Sequence, residues 1–295
     1  MTKLNLAIIG VGLIGGSFGL ALKDKLGDDI HIRGLCRSQK SMDDAVELGA
    51  VDEASDDIEY VVKDADLVYL STPVLQIVPM VKQLLPFLKK GAVITDAGST
   101  KEYLMNTITP LLPEHVHYIS AHPMTGKEKS GVSAASKDLF FNKCYVIIKE
   151  TSAPSEVLEW FEKILSLTGA NLTTLPVAQH DRCASIISHV PHVTAAALVT
   201  LLERSDEDMQ SCIKLAGGGF KDTTRIASSN ADMWADICMT NSSAIAAHLR
   251  EMQKILGEVI HAVEAKDRQA VHDYFAAAKK RRDSILDTTE KLFEI

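Results

Sequence analysis

The chain has 295 residues, 46% of them hydrophobic and 24% charged, which suits one large or two ordinary globular domains and excludes a disordered chain. A net charge of −8 argues against a nucleic-acid binder, which would carry a basic face. Five scattered cysteines, Cys36, Cys144, Cys183, Cys212 and Cys238, never fall at CxxC spacing, so neither a disulfide framework nor a zinc site is expected, and the reading is a reducing cytoplasm. The N-terminus enters a strand pattern without a charged-then-apolar leader, and the longest apolar stretches are interrupted by His, Ser or Arg. Neither a signal peptide nor a bilayer span is expected.

Leu4–Ile9 is a continuous apolar run, followed by GVGLIGGS and an apolar-periodic segment to about residue 25: strand, tight turn, helix. Gly10, Gly12 and Gly15 fall on GxGxxG, with Leu13 and Ile14 between the last two. The first glycine permits the turn, the second lets a pyrophosphate approach the backbone, and the third lets helix pack on strand, so a dinucleotide site is expected here. The second strand, 31–36, ends in Leu35-Cys36-Arg37-Ser38 with no carboxylate for ribose hydroxyls. Arg37 and Ser38 suit a 2′-phosphate instead, which favours NADP and leaves NAD possible.

The alternation continues with helices at 41–49, 74–88, 101–111 and 156–167, and strands at 65–70, 92–96, 117–120, 144–149 and Asn171–Leu175. This pattern predicts a largely parallel, doubly wound α/β sheet. Three strand ends, Ser71-Thr72-Pro73, residues 98–101 and Ala121-His122-Pro123, then converge on one crevice at the carboxyl edge. His122 by itself reads as a surface histidine before a turn; that convergence makes it a candidate for chemistry.

After Pro176 the strand signal stops, so the expected domains are 1–176, dinucleotide-binding, and 177–295, helical. Residues 177–203 form a long helical pattern whose middle, 183–202, is apolar on nearly all sides and is expected to be buried between other helices. Pro191 should kink it. His189 and His192, three apart, share a face as core histidines or as site residues, with no carboxylate or cysteine at a spacing that suggests a metal. Gly217–Gly219 should break the helical region, Arg225 is placed for a bidentate grip on a carboxylate, and Asp232 reads as the N-cap of a helix carrying Trp234. Residues 241–265 and 267–293 read as long amphipathic helices, and the basic run 279–282 as a solvated face.

Taken together, GVGLIGGS (10–17), STPV (71–74), DAGSTK (96–101), AHPMTGKEKSG (121–131), HD (180–181), SHVPH (188–192) and GGGFKDTTRIA (217–227) with Trp234 resemble the prephenate dehydrogenase family, of which arogenate dehydrogenase is a close relative. The resemblance implies a Rossmann-type N-terminal domain and an all-α C-terminal dimerisation domain with a 6-phosphogluconate-dehydrogenase-like arrangement. It also implies an NAD(P)-dependent homodimeric dehydrogenase of tyrosine biosynthesis that decarboxylates prephenate oxidatively to 4-hydroxyphenylpyruvate. His122 matches the family's proton acceptor, Ser99 the serine that orients the substrate hydroxyl, His192 a substrate-side histidine, Arg225 the carboxylate-binding arginine and Glu128 an acidic residue at the entrance. Trp234 joins the substrate side, and Ser71, Thr72 and Pro73 join the cofactor edge.

Lys127 departs from the family pattern. Beside Glu128 it can pair with that carboxylate, add positive charge at the mouth, or simply be solvated. With the chain ending at Ile295, no further regulatory domain is expected, so tyrosine inhibition would be competition at the active site. An arogenate dehydrogenase is the main rival. A β-hydroxyacid dehydrogenase would be expected to use a lysine on the long helix, where this chain has His189 and His192. A non-catalytic dinucleotide-binding regulator would need none of His122, Ser99, His192 and Arg225.

Overall fold

In the computed structural model the described residues are 3–127, 129, 131–205 and 208–293. The N-terminal part alternates strand and helix: β1 (Leu4–Ile9), α1 (Leu13–Leu26), β2 (Ile30–Leu35), α2 (Gln39–Glu47), β3 (Glu53–Ser55), α3 (Ile58–Val62), β4 (Leu67–Leu70), α4 (Val74–Leu84), β5 (Val93–Asp96), α5 (Glu102–Ile108), β6 (His117–Pro123), β7 (Cys144–Ile148), α6 (Ser155–Ser166) and β8 (Asn171–Leu175). The strands form one sheet in the order β3-β2-β1-β4-β5-β6-β7-β8, parallel except for the antiparallel β6–β7 pair. Central parallel strands are covered on both faces, which is why β4 and β5 bury every residue. β1 shows the two-residue period directly: Leu6 and Ile8 pack in one core with Phe18 and Tyr69, while Ala7 and Ile9 pack in the other with Ile77 and Val81.

The predicted elements are present with adjusted ends. α4 and α5 each stop early and tighten into 3-10 turns, Leu85–Phe87 and Thr109–Leu111, where Pro86 and Pro110 withhold the N–H that another α turn would need. β6 runs on through His122 and Pro123, pairing His122 with Val146, because a terminal strand residue can lack an N–H. The short β3 and α3 are additional elements, too brief to show a period.

The long helix is interrupted. α7 (Val177–Ala184) leads into a π-helical turn (Ser185–His189) and then α8 (Val190–Arg204), so Pro191 falls in the first turn of α8 and the wide turn before it absorbs the disturbance. The expectation that its apolar middle is buried fails. Ile187 and Leu201 are 64% and 65% exposed and Ile186 and Val199 are also exposed, whereas His180, Asp181, Ser185 and His189 are buried. By length and composition Val177–Arg204 would also suffice to cross a membrane, contrary to the sequence reading. Its inward face carries ionisable side chains that lipid would penalise.

Three shorter helices follow: α9 (Met209–Leu215), α10 (Gly218–Thr224) and α11 (Ala231–Thr240). The glycine run does break the helical region, separating α9 from α10, with Gly217 as the α10 N-cap, and none of the three glycines adopts a positive φ. The α11 cap is Asn230, not Asp232: Asn230 Oδ1 accepts from the Met233 N–H at 2.9 Å, and Asp232 instead places negative charge in the first turn.

The chain divides into two compact units, one ending at Ser242 and one beginning at Ser243. The second holds α12 (Ser242–Glu264) from its second residue on and α13 (Arg268–Phe293), long helices with exposed apolar residues such as Ile260, Val263 and Phe275.

Candidate active site

The glycine turn after β1 is close-packed on two sides and open on one. Gly10 has φ +93°, and a Cβ there would lie 2.9 Å from Thr72 Cγ2. A Cβ on Gly15 would overlap Ser71 Oγ and the Gly10 carbonyl oxygen and come within 2.8 Å of Ile8 Cγ2, so the third glycine is required for α1 to sit on the sheet. Ser71 Oγ donates to the Gly10 carbonyl at 2.8 Å and ties the end of β4 to the turn. Gly12, by contrast, meets nothing within 4 Å, no side chain caps α1, and its first turn holds no acid. The backbone N–H groups around Leu13 and Ile14 therefore suit a pyrophosphate, and these residues fit a dinucleotide. Thr72 Oγ1 is buried with no hydrogen-bond partner among the described residues, beside Pro73 at the start of α4. At the end of β2, Arg37 is exposed and Ser38 caps α2, its Oγ accepting from the Ser41 N–H at 3.3 Å.

The carboxyl ends of β5 and β6 meet α7 in a buried polar cluster. His122 is only 8% exposed, and its Nδ1 lies 2.9 Å from His180 Nε2. His180 Nδ1 lies 2.7 Å from Asp181 Oδ1. Asp181 in turn accepts the backbone N–H groups of Lys101 and Glu102, each at 2.9 Å. Burial raises the Asp181 pKa, but the His180 bond and these two N–H groups outweigh it and hold the carboxyl below its usual value. The Lys101 side chain is fully buried, ion-paired with Asp96, and donates to the Ala121 carbonyl at 2.8 Å. Burial pulls its pKa down against the pull of Asp96. Asp96 also accepts from Tyr118 Oη (2.7 Å), Ser120 Oγ (2.8 Å) and the Gly98 N–H (2.8 Å).

These surroundings keep His122 neutral. Burial, then the charges of His180, Lys101 and His189, push its pKa well below the ordinary histidine value. His189 is pushed down to about 4, chiefly by burial. Asn241 Nδ2 donates to the Asp181 carbonyl at 2.8 Å and lies 3.1 Å from His189 Nδ1.

A second group lies on α8 and beyond. His192 Nδ1 donates to the Ser188 carbonyl at 2.8 Å, and its ring stacks on Trp234 at 3.8 Å between centroids. Burial lowers the His192 pKa, the Ser188 bond opposes this, and the nearby Arg225 guanidinium lowers it further. Trp234 Nε1 is buried without a partner among the described residues.

The predicted site residues thus fall into three places. His122 lies in the buried cluster; His192, Trp234 and Arg225 form the second group; Gly10, Gly12, Gly15, Ser71 and Thr72 make the turn. Ser99 is half-buried beside this cluster and its hydroxyl makes no hydrogen bond among the described residues, while its neighbour Thr100 bonds to Thr240 at 2.9 Å. Lys127 is exposed and its Nζ reaches the Ala134 carbonyl at 3.3 Å. Glu128 lies outside the described residues. The segment after it docks on α1: Ser17 Oγ accepts from the Ser136 N–H at 3.0 Å. Sequence reasoning assigned no role to His180, Asp181, Lys101 or Asn241; the adjacent His-Asp pair was the available signal.

A glycine turn built for a dinucleotide, next to a buried neutral histidine at the carboxyl edge of the same sheet, defines a nucleotide-dependent dehydrogenase. Residues 18–174 match the prephenate dehydrogenase nucleotide-binding domain and residues 176–277 the prephenate dehydrogenase dimerization domain. The chain is 34% identical to the prephenate dehydrogenase of Bacillus subtilis (strain 168), over 96% of this chain and 76% of that one. It superposes on the crystal structure of prephenate dehydrogenase from A. aeolicus in complex with hydroxyphenyl propionate and NAD+ with a TM-score of 0.89 and 30% identity, covering 97% of this chain and 99% of that one. The Synechocystis arogenate dehydrogenase structure gives 0.81 and 27%, covering 96% and 100%. The chain belongs to the prephenate dehydrogenase family.

Proposed function

We propose that this dehydrogenase oxidises prephenate to 4-hydroxyphenylpyruvate and CO2, with His122 as proton acceptor. One observation carries the assignment. The Nδ1 of His122 is committed to His180, while its Nε2 makes no hydrogen bond among the described residues, so one basic nitrogen of the ring is left for a substrate proton. Bound NAD(P)+ supplies the acceptor for the hydride that leaves C4. His122 Nε2 takes the C4 hydroxyl proton as C4 becomes a carbonyl. Breaking the C1–carboxylate bond then releases CO2 and leaves its electron pair in the ring, which aromatises to a phenolate. The proton returns from His122 to that oxygen, and the histidine ends as it began. A histidine with a depressed pKa is neutral before the step and gives the proton back readily.

Ser99 orients the hydroxyl. Arg225 binds one carboxylate of the dianion, with His192 and the unpaired Trp234 N–H lining the same side. Gly10, Gly12, Leu13, Ile14, Gly15, Ser71, Thr72 and Pro73 hold the dinucleotide. Arg37 and Ser38, with no acid at the end of β2, support NADP over NAD. Glu128 and Lys127 stand at the entrance, residues 177–295 form the substrate and dimerisation domain, and the enzyme works as a cytoplasmic homodimer. The second reading, arogenate as substrate, rests on the same strand-two end.

Initial rates with prephenate and arogenate, each against NAD and NADP, test this directly. Prephenate with NADP should give the highest kcat/KM; no turnover of prephenate overturns the assignment. In Arg37→Asp the NAD-to-NADP ratio should rise about tenfold or more, the loss of a charge-assisted bond. An unchanged ratio would remove Arg37 from phosphate recognition.

A further inference from the structure

We infer that His180 and Asp181 are positioning residues that fix the tautomer of His122 and stabilise its protonated form, an inference resting on His122 as the proton acceptor. An ionised carboxylate only accepts, so the 2.7 Å contact with Asp181 places the proton of His180 on Nδ1. Asp181 is itself held by two backbone N–H groups and cannot turn away. His180 Nε2 is then a lone pair, and the 2.9 Å contact makes it the acceptor for His122 Nδ1–H. His122 is left with its lone pair on Nε2, the nitrogen that must take a proton. When it does, the Nδ1–H bond to His180 becomes charge-assisted and stronger.

Lys101 secures both ends of this line. Its side chain holds the Ala121 carbonyl, one residue before His122, and its backbone N–H holds Asp181. The other groups facing the pair work in a known sense: Asp96 neutralises the Lys101 ammonium, and His189 is kept neutral by burial with its Nδ1 engaged by Asn241. Asp181 is therefore the anion that balances charge arriving on the two histidines.

Three variants test the dyad: His180→Leu, His180→Gln and Asp181→Asn, each assayed for dinucleotide affinity, thermal unfolding and the pH profile of kcat/KM with prephenate. His180→Leu removes the acceptor and should lower kcat about 10²-fold with KM changed less than about threefold. Its acid limb should move to lower pH, because protonated His122 has lost a neutral acceptor; a move to higher pH, the result if His180 acts on His122 as a repelling charge, would overturn the proposal. Glutamine can accept from Nδ1–H, so His180→Gln should recover at least about tenfold of that loss. Asp181→Asn should fall between wild type and His180→Leu. Wild-type kcat and acid limb in His180→Leu would overturn the proposal, as would equal loss in the Leu and Gln variants with the limb unmoved. The underlying reading is judged separately by His122→Asn: turnover surviving there removes the base, whereas turnover lost there but intact in the His180 variants removes only the dyad.

Discussion

Strand β4 and the helix that runs from α7 through α8 obey opposite rules. β4 reads Leu-Val-Tyr-Leu and buries all four residues between two layers of helix. The helix buries His180, Asp181, Ser185 and His189 and turns Ile186, Ile187 and Leu201 outward. In β4 hydrophobicity dictates burial. In the helix, polar burial is made tolerable by partners: His180 between His122 and Asp181, Asp181 on two N–H groups, His189 against Asn241. Its exposed aliphatic face is the kind of surface a second copy covers, consistent with the match to a dimerization domain. A helix that appears inside out in this way answers to different demands on its two faces.

Three substitutions sharpen this contrast. His122→Asn should reduce turnover by roughly 10²–10⁴ while the dinucleotide dissociation constant and unfolding midpoint stay near wild type; steady-state rates and a binding titration check it, and an unchanged rate would make the buried cluster structural. Lys101→Met leaves Asp96 uncompensated in a site with no exposure and should cost about 3–5 kcal/mol in denaturant unfolding, although Tyr118, Ser120 and Gly98 still donate to the carboxylate. Ile187→Lys, at an exposed position, should alter the stability of the chain itself by no more than about 0.5 kcal/mol yet weaken self-association by about tenfold or more. Sedimentation over a dilution series measures that, and an unaltered monomer–dimer equilibrium would show that this face is not covered by a second copy.

The glycine turn was the part of the site most open to reading, because all of its constraints are local. Gly10, Gly12 and Gly15 follow an apolar strand and open a helix, and each has the space, or lack of it, that the motif requires. His122 became interpretable only once several strand ends were taken to meet. The His122–His180–Asp181 line was not legible: its members sit 58 residues apart, and only the strand order and the pitch of α7 bring them together. The same limit misplaced the α11 cap, since Asp232 and Asn230 are both capping residue types and only the backbone separates them. It also left the long helix expected to be buried all round, when one side is exposed, because composition averages over sides. The antiparallel turn into β7 and the elements β3 and α3 were missed because short pairings leave no period to detect.

The π turn at Ser185–His189 has a consequence for how this helix tolerates change. His180 and His189 are nine residues apart, about half a turn out of phase on an unbroken α-helix. A π turn closes its bonds at i→i+5 and rotates less per residue, so it returns His189 toward the side on which His180 lies. The arrangement is thus a matter of counting. Removing one residue from this segment would restore a regular helix and leave His192 and the aliphatic face of α8 near their present bearings, because the π turn spends one more residue than an α turn over nearly the same rotation. What the extra residue supplies is the wide turn itself, with Ser185 and His189 both held inward.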